Sequence, residues 1–142
     1  MSQSIPPGFA PVQTKGFGGF AGPVHRGHNA NGEVFLFDIA PQHLNGADRL
    51  HGGMMMTLAS IVLGEVARET AAAREESAVA RPLSINCDFV SAGENGERVE
   101  GHAQVTRATK SVLFISGELR VGARVLMTAT GVYGVSAGKD AK

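Results

Sequence analysis

An excess of charge of either sign is missing from this chain: lysine plus arginine and aspartate plus glutamate each total 13 of 142 residues. Such a balance gives no electrostatic reason for nucleic acid or an anionic membrane to be a partner, and it leaves little repulsion against self-association. Cysteine is nearly absent as well. The single thiol, Cys87, cannot form an internal disulfide, and a metal site would need further ligands, so a reducing compartment is the simple inference. Long hydrophobic runs are also lacking. No apolar stretch reaches about 18 residues, so no transmembrane helix is expected. The segment Met1-Ser-Gln-Ser-Ile-Pro-Pro7 has no basic stretch followed by an apolar one and does not read as a secretory signal. The expectation is a cytoplasmic protein with no membrane or nucleic-acid partner, no metal and no cofactor.

What is present fits one globular domain: 43% apolar residues, 18% charged, and enough length to bury a core without disulfides or metals. Residues 1–16 read as an irregular arm rich in Pro, Gly and small polar residues. A short strand is expected over 20–26 and a stronger one over Glu33–Ile39, with the turn Asn29-Ala-Asn-Gly32 between them. Pro41 ends the second strand. Gly52–Thr70 reads as the one long helix, apolar almost all round for its first three turns and so buried; 71–76 continue it or fray. The period then changes. Strands are expected at Leu83–Val90, Arg98–Val105, Ser111–Arg120 and Arg124–Tyr133, joined by short turns into an antiparallel meander. Residues 136–142 read as a disordered tail.

A helix apolar on nearly every face needs a sheet around it. One small sheet cannot cover all of it, so a second copy is expected to supply the rest, giving a homodimer, and a dimer of dimers is the further expectation. At the helix start stands the run Asn45-Gly-Ala-Asp-Arg-Leu-His51-Gly52-Gly53. The first N–H groups of a helix have no intrahelical partner and lie at the positive end of its dipole. Glycine there lets a ligand approach the backbone. A thioester carbonyl at Gly52 would find its developing negative charge met by a fixed donor. The bland alternative is that Gly-Gly merely permits a tight turn into the helix.

The stretch Asn45 to Leu58 resembles the signature of the PaaI-like hotdog thioesterases: an Asn or Gln, five residues, His-Gly-Gly, four residues, and Leu. Asp88-Phe89-Val90-Ser91 with Gly96-Glu97, and Ala129-Thr130-Gly131, resemble the family too, and the likeness spans Phe17 to Val135. It implies an α+β hotdog fold, a curled antiparallel sheet wrapped around one long central helix, with residues 17–135 forming the thioesterase-like domain. It implies that Gly52 polarises the thioester carbonyl, His51 orients the loop, Asn45 holds the substrate or the attacking water, and Gly53 joins them in binding. Ser84 and Asn86 lie on the strand after the helix, where relatives carry a water-positioning hydroxyl; the bland reading is a solvent-facing strand. The ligand implied is an acyl-CoA thioester or CoA, whose phosphates call for basic residues. Arg107 and Lys110 are the candidates for them, with Arg74 and Arg81 behind.

One position departs from the pattern. The family places Asp or Glu nine residues after the histidine, and here that residue is Ser60. A serine hydroxyl is not a base near neutral pH and would itself need activation to be a nucleophile. Losing a general base costs about 10²–10⁴-fold in rate. Asp48, Asp88 and Glu65 are possible substitutes, although Glu65 stands about 140° around the helix from Ser60. Two functions follow: hydrolysis of an acyl-CoA thioester, or non-catalytic binding of acyl-CoA or another small ligand.

Overall fold

The computed structural model describes residues 3–138. In chain order the elements are β1 (Ala10–Val12), α1 (Gly16–Ala21), β2 (Val24–Asn29), β3 (Gly32–Asp38), one 3-10 turn at Pro41–His43, α2 (Gly52–Arg74), β4 (Val79–Phe89), β5 (Arg98–Ala108), β6 (Val112–Val121) and β7 (Arg124–Ser136). Among the described residues these seven strands form one antiparallel sheet in the order β1-β2-β3-β5-β6-β7-β4. The sheet curls around α2, as the hotdog resemblance implies.

The core is the contact between that helix and the sheet. Leu58, Ala59, Ile61, Val62 and Leu63 of α2 are buried against Phe35, Phe37, Val99, Leu113, Ile115, Leu119, Met127 and Tyr133. The sheet comes close because glycine faces the helix at the crossing. A side chain begun at Gly117 would lie 2.6 Å from the His102 carbonyl oxygen and 3.1 Å from Leu63. One stripe of α2 stays uncovered: Gly53, Met56, Thr57, Ser60, Gly64 and Arg68, spaced three or four apart, are exposed or half-buried. The expectation that one sheet cannot enclose this helix is met by that stripe.

Several boundaries differ from those expected. The chain over 20–26 is not one strand. Phe20 belongs to α1, which ends at Gly22-Pro23, where proline has no N–H to continue a helix. The arm over 1–16 holds β1, paired with β2. Helix α2 runs on to Arg74, β4 begins at Val79, and β7 takes in Gly134 and Val135 up to Ser136. Of the expected tail, residues 139–142 lie outside the described residues.

Candidate functional site

The loop before α2 is shaped by its own backbone and by Asn45. The Asn45 side-chain oxygen accepts from the N–H groups of Ala47 (2.9 Å) and Arg49 (3.1 Å), an Asx turn that folds 45–49 onto itself. The Asn45 N–H donates to the Arg49 carbonyl at 2.7 Å, and Leu50 N–H donates to the Gly93 carbonyl at 2.8 Å. The loop thus delivers His51 to the helix start in an extended conformation. With its oxygen engaged in the turn, Asn45 has only its amide nitrogen left to reach outward.

His51 is the N-cap. Its Nδ1 accepts from the Gly53 N–H at 2.8 Å, and its carbonyl accepts from Met55 N–H at 3.0 Å. The Gly53 donor is therefore consumed. The Gly52 N–H has no partner among the described residues, so it is a free donor at the positive end of a 23-residue helix. The exposed ring of Phe89 flanks it: a side chain begun at Gly52 would lie 3.3 Å from the Phe89 ring.

Ser60 lies on the uncovered stripe. Thr57 bonds back to the Gly53 carbonyl at 2.9 Å, whereas Ser60 makes no hydrogen bond among the described residues. Ser60 borders two open grooves. One, of about 560 Å³, is lined also by Gln13, Gly64, Glu65, Arg68 and Tyr133. The other, of about 380 Å³, runs past Gln13, Phe17, Met56 and Thr57. No histidine lines either groove, so Ser60 has no histidine partner to activate it as a nucleophile.

Ser84, Asn86, Asp88, Arg107 and Lys110 are not turned toward Gly52 within one chain. β4 pairs Ser84 with Val132, Asn86 with Thr130 and Asp88 with Thr128. These residues share the sheet face opposite the one carrying Met127, Ala129 and Tyr133 to the helix. Ser84 accepts there from the Asn86 amide at 3.2 Å. The Arg107–Lys110 hairpin sits at the far end of α2, where Arg74 donates to the Thr109 and Lys110 carbonyls at 2.7 and 3.1 Å. A helix of that length puts about 35 Å between its ends. Asp48 is exposed in the loop with a positive φ of 58°. Glu65 shares the larger groove with Ser60 despite its different angle on the helix. Its carboxylate is buried and held by Gln13 (3.2 Å) and Arg68 (3.1 and 3.3 Å).

Gln13 and Tyr133 have no counterpart among the sequence candidates. Gln13 comes from the arm, at a positive φ of 48°. Tyr133 is 2% exposed, its hydroxyl has no partner among the described residues, and burial pushes its pKa up to about 12. Its position facing inward on a strand of alternating burial was available from the sequence pattern.

The model of the thioesterase superfamily matches residues 48–128, a span that includes the His51 cap, all of α2 and most of the sheet. The chain belongs to the thioesterase superfamily. Among its relatives is PA0474 of Pseudomonas aeruginosa, a protein with a provisional esterase name, 27% identical over 132 residues that cover 92% of this chain and 96% of the relative. The fold matches solved thioesterase structures. A hypothetical thioesterase of Streptococcus pneumoniae, crystallised with coenzyme A, superposes with a TM-score of 0.65 at 16% identity, over 74% of this chain and 78% of that one. The PaaI protein of Escherichia coli, from the phenylacetic acid degradation operon, gives 0.62 at 20% identity over 75% and 73%. The BH2602 protein of Bacillus halodurans, solved with CoA, gives 0.66 at 18% identity over 72% and 70%. The hotdog fold and the thioesterase family implied by the motif are thereby confirmed. No helix among the described residues is long and apolar enough to cross a membrane.

Proposed function

We infer that the protein hydrolyses an acyl-CoA thioester, with the carbonyl oxygen accepting from the Gly52 N–H. The observation that carries this reading is the division of labour at the helix start: His51 takes up the Gly53 N–H and leaves that of Gly52 open. A fixed donor aimed at a developing oxyanion is worth about 10²–10³-fold in rate. Membership of the thioesterase superfamily and CoA in solved structural neighbours support thioester chemistry and a CoA-bearing ligand.

The same reading calls for two copies of the chain. Ser60 is eight residues beyond Gly52, about 12 Å along the helix axis, so a single carbonyl cannot touch both within one chain. The β4 strand supports the same conclusion. It lies at the end of the sheet, is 11 residues long, and offers a free backbone edge beside exposed Leu83, Phe89 and Val90. A twofold axis through that edge runs the two helices antiparallel. The N-terminus of one then faces along the uncovered stripe of the other, and the Arg107–Lys110 hairpin of one comes toward the Gly52 end of its partner. The dimer, its pairing into a tetramer, the role of that hairpin toward CoA phosphates, and a cytoplasmic location are parts of this proposal.

The test is steady-state hydrolysis of short-chain, medium-chain and aromatic acyl-CoAs, run beside calorimetric titration with CoA. Turnover of any of them is the expected result. CoA binding without turnover would establish the second reading, a ligand-binding protein, which the unpartnered and unactivated hydroxyl of Ser60 favours. Light scattering at micromolar concentration checks the dimer, and a monomer would sink the shared site.

A further inference from the structure

The family position for a carboxylate is occupied by Ser60, yet the groove that Ser60 borders contains a carboxylate from further along the helix. We propose that Glu65 is the base of this site, taking a proton from a water held over Gly64 between the Tyr133 hydroxyl and the Gln13 carboxamide. The proposal rests on the hydrolase reading above.

The geometry is local and specific. A side chain begun at Gly64 would meet only the Tyr133 hydroxyl at 3.8 Å and the Gln13 amide nitrogen at 3.9 Å. The absence of a side chain there leaves two hydrogen-bonding groups beside the groove; the hydroxyl is closed to water as it stands, and a shift of the flexible Gln13 side-chain end admits one. The same Gln13 nitrogen also donates to Glu65 Oε2 at 3.2 Å. The carboxylate is therefore one hydrogen bond away. Arg68 holds it from the other side through Nε (3.3 Å, to Oε2) and a terminal nitrogen (3.1 Å, to Oε1). A carboxylate has about four acceptor positions, so this one is oriented by three donors with capacity left for a water.

Two features of this spot have no structural use. The Tyr133 hydroxyl is buried and unpartnered among the described residues; leaving such a group unpaired costs about 1–3 kcal/mol. Burial keeps it protonated, hence a donor, with its pKa at about 12. Gln13 adopts a left-handed φ of 48°, which costs a non-glycine residue about 1 kcal/mol. Strain and an unsatisfied polar group gathered at one point suggest function. A purely structural role for the Glu65–Arg68 pair, satisfying a buried carboxylate beside a largely exposed guanidinium, would show in Glu65→Gln as a lower Tm rather than as a loss of kcat.

In the step itself, the water oxygen bonds to the thioester carbonyl carbon while its proton passes to a Glu65 oxygen. The carbonyl electron pair moves onto oxygen, facing the Gly52 N–H of the second copy. When the C=O bond re-forms, the C–S bond breaks and its electron pair leaves on sulfur. The proton held by Glu65 then goes to the departing thiolate, giving the free acid and CoA thiol.

The experiment compares wild type, Glu65→Gln, Tyr133→Phe and the double variant Ser60→Asp with Glu65→Gln, on whichever acyl-CoA wild type hydrolyses best, with Tm measured for each. The expected result is a kcat loss of about 10²–10⁴-fold in Glu65→Gln with KM nearly unchanged. The acid limb of the pH–kcat profile disappears with it. Tyr133→Phe is expected to lose at least tenfold in kcat without losing stability, and the double variant regains turnover and an acid limb. Wild-type turnover with Glu65→Gln within threefold of it overturns Glu65 and leaves the hydrolase reading standing. Wild type inert while Ser60→Asp turns over overturns both.

Discussion

The Nδ1 atom of His51 accepts the Gly53 backbone N–H at 2.8 Å. This bond requires the neutral ring with its proton on Nε2. The histidine of the motif thus serves the helix first, as its N-cap, and the thioester only through the donor it leaves free. Replacing it with alanine removes the cap. His51→Ala is expected to lose about 1 kcal/mol of stability, read from the midpoint of urea unfolding, and to lose turnover beyond that, because the helix start that presents Gly52 loosens. Unchanged unfolding in His51→Ala would contradict the capping role.

Restoring a carboxylate at the family's position is a direct test of what serine does there. Ser60 has a free hydroxyl, an uncovered place on α2 and two grooves beside it, so aspartate fits without touching the core. On a Glu65→Gln background, Ser60→Asp is expected to raise kcat for acyl-CoA hydrolysis by at least tenfold, within the range a general base supplies, while calorimetric CoA affinity stays within about threefold. A folded Ser60→Asp variant with no gain would mean that position 60 no longer faces the reacting carbonyl.

A pH effect follows from His43, which the loop before α2 buries. Its Nδ1 accepts from Ala40 N–H and its Nε2 faces the Ala21 carbonyl, both at 3.0 Å, with the ring packed on Phe37. Both nitrogens are used by the neutral form, and burial pushes the pKa below its usual 6.5, against the opposing effect of the Ala21 carbonyl. The unfolded chain therefore takes up a proton at a pH where the folded chain does not. Stability from this residue is complete above about pH 6.5 and falls as pH drops below it, by up to about 1.4 kcal/mol per unit. Urea midpoints at pH 7.5 and 5.5 check this. His43→Phe should flatten the dependence, and an equally steep wild type and variant would exclude His43 as its source.

The helix and its buried character were legible because Gly52 to Leu63 is apolar almost all round, broken only by Thr57 and Ser60, a pattern that needs a covering sheet. The family motif located the open Gly52 donor. Two things were harder. Ser84 and Asn86 admit two readings from sequence, a water-positioning role or a solvent-facing strand, and the alternation over Leu83-Ser-Ile-Asn-Cys-Asp-Phe89 does not decide which of them a second copy would use. Gln13 carried no such signal. It sits in a stretch with no period, after a strand of three residues, and its role depends on one left-handed turn and on partners 52 residues away. Local pattern cannot report such a contact.

That short strand has a consequence for how the gene can be read. β1 pairs with β2 at Ala10–Val12, and Gln13 follows at once, so pairing at one rim of the sheet aims an amide at Glu65 on the helix. Translation begun a few codons later, beyond Thr14, would leave α2 and β2–β7 whole in sequence, yet it would take away β1, the Gln13 amide on Glu65 and the Gln3 and Ser4 carbonyls that Arg98 bonds. The amino terminus thus ties the helix carboxylate and the far rim of the sheet together.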